Sequence, residues 1–280
     1  MKNIHLEQVT CLDNPQQFLT SRVNEFLKSS LKSCDDKRFV ELCGLRSANS
    51  SSWTLASPSH SNGTVMESVL FKSALQFHLG LPVYNSSAKC VLCAKGCSDI
   101  YGVHDSQCAG GCRLWKRHRA IQKIIYGAAK NAQLDAYMET PNLFFDSSND
   151  RPADVLLPPI PGCGSKRSCV DVSVTSAFSA LSKEKSAIQI ATDLKNKRYL
   201  EKCNKNNLHF SPFILDSLGN IGPDALKIID FIGSAAADLD GSNKGKLCYL
   251  LKQRIIFNTV SYSAAAIIEG KLRSRVDSRA

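Results

Sequence analysis

The sequence predicts an α/β fold: a small set of strands flanked by helices, preceded by a helical region and a metal-binding region. Two short apolar runs near 152–158 and 168–175 are separated by a loop rich in Pro, Gly and Ser, the pattern of two neighbouring strands. Segments whose apolar residues recur at helical spacing lie on both sides of them. Five of the twelve cysteines crowd between residues 90 and 112. Helices on either side of a few strands give an α/β core.

From the start of the chain, "PQQFLTSRVNEFLKSSL" sets Phe18, Val23, Phe26, Leu27 and Leu31 near one helical face, so residues 1–46 read as helical. "SANSSSWTLASPSHSNGT", 47–64, reads as a loop or linker. "MESVLFKSALQFHLG" is a second helix, with Gly80 as its stop and Pro82 beyond. The cysteine cluster occupies 88–112, and "RLWKRHRAIQKIIYGAAKNA", 113–132, is a strong helix. After the two strands, 182–207 reads as a helix with a basic face, and "LHFSPFILDSLG", 208–219, as a strand with a turn. "PDALKIIDFIGSAAADL" is helical, with Pro223 suited to its first turn. "KGKLCYLLKQRIIFNTVSYSAAAIIEGKL" is a long amphipathic C-terminal helix. There is no internal repeat. The expected division is a helical segment, 1–80, a zinc-binding knuckle, 81–118, and the α/β domain, 119–280.

The 280 residues are 43% hydrophobic and 21% charged, which marks a globular rather than a disordered chain. The net charge of +10 favours a polyanionic partner, nucleic acid before membrane. "MKNIHLEQVTCLDNPQQFL" has no apolar core of signal-peptide length, so secretion is not expected. No apolar run approaches the roughly 20 residues of a membrane span. The expected location is the nucleus or cytoplasm, where clustered cysteines go with metal rather than disulfides. The seven scattered cysteines are expected to be small buried apolar residues.

"CVLCAKGCSDIYGVHDSQC" carries Cys90, Cys93, His104 and Cys108. Two cysteines separated by two residues hold one side of a zinc ion, and a His and Cys three residues apart in between close the tetrahedron. A full set of four protein ligands leaves no open position, so this zinc is expected to be structural. Reduced, unliganded cysteines are the alternative, and Cys97 or Cys112 can replace one of the four. Behind the cluster, "RLWKRHR" puts Arg113, Lys116, Arg117, His118 and Arg119 at a helix start beside Trp115. Positive charge there opposes the helix dipole, so contact with phosphates and a plain solvated basic face are competing readings.

Each predicted strand also carries a carboxylate. In 168–175, Val170, Val172 and Val174 point one way and Asp171, Ser173 and Thr175 the other. Asp171 is therefore expected on the polar face of a half-buried strand. Asp154 follows Pro152, which favours an extended entry. Antiparallel strands can bring both carboxylates together as a hard oxygen pair for Mg²⁺; strand-end aspartates that cap turns are the bland alternative. Glu139, upstream of both strands, and Lys195, on the helix after them, turn the pair into a metal-dependent nuclease constellation, the lysine orienting water or offsetting phosphate charge.

The order of these motifs resembles the C-terminal region of non-LTR retrotransposon proteins that carry a restriction-like endonuclease. Those share a cysteine–histidine zinc motif, an arginine–histidine pair opening a helix, a "PD" strand, a "DV" strand and a "KxxKY"-like helix. The counterparts here are "CVLC…HDSQC", "KRH", "RPADV", "VDVSV" and "KNKRY". The resemblance runs from about residue 71 to the C-terminal helix. It implies a PD-(D/E)xK-type fold and a Mg²⁺-dependent endonuclease that cuts DNA, with element RNA as a further partner and no small-molecule cofactor. It assigns metal binding to Asp154 and Asp171, assistance from the first helix to Glu139, and catalysis to Lys195. Lys197, Arg198 and Tyr199 belong to its nucleic-acid-binding motif. The departures are Ser173, which stands where the usual motif has lysine, and the absence of a YxDD polymerase motif. Lys183, Lys185 and Lys197 are substitutes for Lys195. A binding remnant that keeps zinc but no longer cuts is the alternative to an active enzyme.

Overall fold

The computed structural model describes residues 50–144, 153–180 and 185–277, all within the compact unit Arg46–Ala280. The N-terminal helix reading, Cys11, Cys34, Cys43 and Lys183 lie outside the described residues. Helix α1 is Ser68–Leu79, ended by Gly80 in left-handed backbone at φ 71°. A small hairpin follows, β1 (Ala88–Lys89) and β2 (Cys97–Ser98), paired antiparallel. Then come α2 (Arg113–Asn131), β3 (Tyr137–Met138), β4 (Val155–Leu157), β5 (Ser168–Thr175), α3 (Ala187–Lys205), β6 (His209–Asp216), α4 (Pro223–Asp240) and α5 (Lys244–Asp277). Pro223 occupies the first turn of α4, as expected.

The main sheet runs β3-β4-β5-β6. β3, β4 and β5 are antiparallel neighbours, and β6 joins β5 parallel. A parallel neighbour needs a crossover, which α3 supplies. One face of the sheet, through Val170, Val172, Phe213 and Leu215, packs on Ile121 and Ile125 of α2, Ile228 and Ile229 of α4, and Ile255 of α5. The other face, through Leu156, Cys169 and Phe210, packs on Tyr199 and Cys203 of α3. The alternation along β5 therefore separates two covered faces rather than a buried and a wet one. The expected polar face lies under the crossover helix, and Asp171 is only 6% exposed. Sheets with helical crossovers are covered on both sides for this reason.

Two other expectations shift. The Ser-rich stretch after residue 50 is not a bare linker: Trp53, in a short 3₁₀ turn at Ser52–Leu55, is buried against α1 and α5. Its ring meets Phe71 and His78 edge-on at 5.6 and 5.7 Å. Helix α5 buries more than one stripe. Ile255 joins the sheet core, while Ile256, Phe257, Val260 and Ala264 join the Trp53 cluster. Its buried Thr259 and Ser263 hydroxyls donate back to the carbonyls of Ile255 and Thr259 at 2.9 and 2.8 Å, which satisfies them inside the packing. Cys169, Cys203 and Cys248 are buried as expected, while Cys163 is half-buried. Among the described residues no helix is long and apolar enough to cross a membrane.

β6 is an edge strand, and the chain closes that edge. Gly222 N–H donates to Ile214 O and Asp216 N–H to Asn220 O, so the following turn covers one end. Alternate residues point their amides the same way, so Pro212 occupies an outward position with no N–H to leave open. The turn is held by Asp216, whose carboxylate accepts from the N–H groups of Leu218 and Asn220 and from Asn220 Nδ2, at 2.9, 3.0 and 2.6 Å.

Burial raises the Asp216 pKa to about 6, against those hydrogen bonds. A folded-state value above the unfolded one favours folding below about pH 4, and that contribution is lost as pH rises to about 6. Relative to wild type, Asp216→Asn is expected to gain stability across this window by about 2–3 kcal/mol. Thermal unfolding of both proteins at a series of pH values measures it. A difference that does not change with pH would show that Asp216 is ionised throughout.

Candidate metal centre and acidic site

The hairpin β1–β2 and the turn after it bring four sulfur and nitrogen atoms together. The ligand atoms of Cys90, Cys93, His104 and Cys108 all lie within 4.8 Å of one another. Cys90 Sγ and Cys108 Sγ are 3.6 Å apart, and Cys93 Sγ is 3.4 Å from His104 Nε2. Zinc bonds of about 2.3 Å to sulfur and about 2.0–2.1 Å to nitrogen set tetrahedral edges near ~3.8 and ~3.6 Å, so these two pairs stand near the edges of a zinc tetrahedron. The cluster can therefore hold a metal ion such as zinc. Cys97 and Cys112 are exposed and outside it; Cys112 immediately precedes α2, with no capping bond from its side chain.

The local backbone explains how a short loop achieves this. Backbone N–H groups of Lys95 and Gly96 donate to Cys93 and lower its pKa to about 6, while burial pushes Cys108 up to about 12. The knuckle closes by Ala94 N–H to Cys90 O and Cys90 N–H to Gly96 O, both 2.9 Å. A Cβ on Gly96 would fall 2.1 Å from the His104 ring, so only glycine lets the imidazole lie over the knuckle. Asp105 is fully buried behind the ligands, accepting from Ser98 Oγ at 2.8 Å, with its other oxygen unpartnered. The whole unit is tied to α5: Tyr84 OH donates to Ile267 O at 2.6 Å.

The acidic site forms just before β4 begins. Asp154 N–H donates to Val170 O at 2.9 Å, and Asp154 Oδ2 accepts from Val172 N–H at 2.7 Å. Those two partners bracket Asp171 on β5. Val172 points its amide toward β4 where β4 has not yet begun, and the carboxylate supplies the missing ladder acceptor. Asp154 Oδ1 meets His118 Nε2 at 3.1 Å and Gln122 Nε2 at 3.4 Å. Asp171 pairs with Lys195 Nζ at 2.7 Å. Lys195, Tyr199 and Cys203 are spaced four apart on α3, a stripe facing β5. Of the substitute lysines, Lys185 is bound to Asp193 at 2.7 Å and Lys197 is exposed.

Glu139 departs from expectation. It is not on a helix but directly after β3, at φ 51°. Its N–H bonds Asp154 O at 3.1 Å, and its carboxylate is held by Arg119 and by Gln122. Burial raises the Asp171 pKa, against the nearby Lys195, and the negative Asp154 raises it further. The His118 pKa is raised chiefly by its hydrogen bond to Asp154.

The basic residues divide. Arg117 is 3% exposed and binds Ser106 O, Ser263 Oγ and Gln107 Oε1 at 3.1, 2.9 and 3.0 Å, so it cannot contact phosphates. Tyr199 is 5% exposed and stacks near Phe210, so it too is a packing residue rather than a nucleic-acid contact. Arg113 is paired with Glu269 at 3.1 Å. His118 and Arg119 serve the acidic site, while Lys116, Lys197 and Arg198 are exposed. Sequence reasoning missed Gln122, Gly96 and Asp105. The signal for Gln122 was a polar residue amid Ile121, Ile124 and Ile125, four residues beyond His118 and so on its helix face; the structure buries it fully.

Among the described residues, only the Cys–His cluster brings three or more His, Cys or acidic ligands within 4.8 Å. The acidic site is thus no closed cage. Two carboxylates with water or phosphate oxygens completing the shell are the ordinary donor set of Mg²⁺; Asp154 and Asp171 are two carboxylates, each bonded to protein groups here.

Removing the glycine tests the first centre. Gly96→Ala is expected to lower zinc affinity at least about 10-fold by displacing His104, read by competition with a chromogenic chelator. Wild type should hold one zinc per chain by elemental analysis, and unchanged affinity in the variant would refute the packing role.

Comparison with protein-family models, with curated proteins and with solved structures returned no significant match.

Proposed function

We propose that the protein is a metal-dependent DNA endonuclease with a structural zinc knuckle, of the restriction-like kind found in non-LTR retrotransposon proteins. One observation carries this reading: Asp154 binds the residues on both sides of Asp171, and Lys195 of the crossover helix lies 2.7 Å from Asp171. Two carboxylates and a lysine thereby meet at one end of a hairpin that leads into a β–α–β unit. The four-stranded mixed sheet and its covered faces support the restriction-endonuclease-like fold. The net charge of +10 supports a polyanionic substrate.

In this reading Asp154 and Asp171 hold Mg²⁺, and Glu139 assists from the end of β3. An ion held by these two carboxylates would supply Lewis-acid charge for the phosphate and for activation of a water. Lys195 orients the attacking water or offsets charge on the scissile phosphate. His118 and Gln122 fix the Asp154 carboxylate from α2. Of the basic residues singled out in the sequence, Lys116, Lys197 and Arg198 are exposed, and in this reading they meet the DNA backbone, Arg198 from over the Tyr199 ring. The knuckle's four protein ligands leave its zinc no open position, which makes that ion structural.

One observation favours the second reading, a zinc-containing nucleic-acid-binding remnant that does not cut. Each carboxylate already has a basic partner: Asp154 with His118, Asp171 with Lys195, Glu139 with Arg119. A metal ion must compete with these partners.

Supercoiled plasmid separates the readings. Wild type with Mg²⁺ is expected to nick it, and Asp171→Ala and Lys195→Ala are each expected to slow nicking at least about 100-fold. Both variants should retain one zinc, which shows that they fold. DNA bound by a zinc-loaded wild type without any nicking would reject the enzyme in favour of the remnant.

A further inference from the structure

We propose that Trp115 is a stacking platform for an unpaired DNA base beside the acidic site. The inference rests on the nuclease reading above and adds to it the recognition of a locally opened strand. The chain has two tryptophans, and they are opposites. Trp53 is 1% exposed in the core; Trp115 is 66% exposed in the first turn of α2. A lone exposed aromatic needs no special reason. Trp115 is set apart by its position.

It precedes His118 by three residues and Arg119 by four, so the three share neighbouring positions on one side of α2, about 5 Å apart along the axis. His118 touches Asp154 and Arg119 touches Glu139. The indole thus stands about one helical turn from the two residues that hold these acids. Among the described residues it packs against no other ring. Lys116, exposed beside it, has no salt bridge to an acidic residue there. Arg113 and Arg117, which flank it, are both engaged inside the protein. An open aromatic face next to an unneutralised lysine at a positive helix end suits a base and its phosphate together. A paired, stacked base presents no free face to an indole, which selects an unpaired one.

Tryptophan fluorescence tests this on the full-length zinc-loaded protein. The probes are a duplex with a short unpaired stretch and the same duplex fully paired. The gapped duplex is expected to quench wild-type emission. Trp115→Phe, which leaves only Trp53, should show no quenching yet keep most of the affinity, because phenylalanine also stacks. Trp115→Ala should bind the gapped duplex about 5- to 100-fold more weakly, with a smaller loss on the paired duplex. Gel-shifted DNA with unquenched wild-type emission, or equal affinity of Trp115→Ala and wild type, would overturn the platform and leave the nuclease intact. A zinc-loaded wild type that binds neither duplex would overturn the nuclease reading, and the platform with it.

Discussion

The structure around the candidate site depends on one residue's hydrogen bonds. Asp154 uses every polar atom it has. Its N–H bonds Val170, its O accepts from Glu139 N–H and Gln122 Nε2, and its carboxylate accepts from Val172 N–H and faces His118. β3, β5 and α2 therefore meet on a residue that lies just outside β4. A side chain with one acceptor cannot replace it: Asn offers one oxygen where two are used, and Ala leaves the Val172 amide without a partner at a cost of about 1–3 kcal/mol. The same carboxylate is thus a structural ladder acceptor and a candidate metal ligand. Loss of activity on its mutation alone would not separate these roles, whereas Asp171 and Lys195 have no comparable backbone duties.

The electrostatics follow from where the crossover lies. Because α3 covers the second face of the sheet, Asp171 is buried, and a buried carboxylate is expensive unless paired. Lys195 meets that need at 2.7 Å. A lysine two residues after Asp171 on the strand would stand at Ser173, on the same face but where the strand is only half-buried. Coming from the helix, the ammonium reaches down the stripe that Tyr199 and Cys203 continue. Its side chain stays partly exposed, so the pair is not sealed from solvent.

Much of the fold was legible because it is written in patterns that depend on local physics. Pro223 and Gly80 mark helix ends through fixed φ and free φ, and the cysteine spacing suits the span of one metal ion. The carboxylate positions were legible through the strand alternation. What the alternation could not convey was α3 lying over Asp171, since a polar residue facing a helix reads like one facing water. The basic run "RLWKRHR" misled for a related reason. Charge in sequence has no address, and of its five cations, Arg117 went to the knuckle, Arg113 to Glu269, and His118 and Arg119 to the acids. Tyr199 sat inside a motif that looked like a surface and became core because Cys169 and Phe210 are opposite it. Pro212 did carry a readable signal of an edge strand.

The two centres are coupled through a single helix. Adjacent residues of α2 point to different partners: Arg117 inserts into the knuckle and α5, while His118, Arg119 and Gln122 reach the acids. Arg117 is buried with its pKa drawn down to about 10, so it remains charged at neutral pH and must keep its three acceptors. Two of these, Ser106 O and Gln107 Oε1, lie between the metal ligands His104 and Cys108. An ion that orders this turn therefore orders the acceptors of Arg117, and Arg117 in turn sets the rotation of α2 about its axis. That rotation decides whether the next residue, His118, faces Asp154. The Cys–His cluster offers four protein ligands, which would leave a bound metal no open position, yet the placement of the groups around Asp154 rests on the turn that carries two of those ligands.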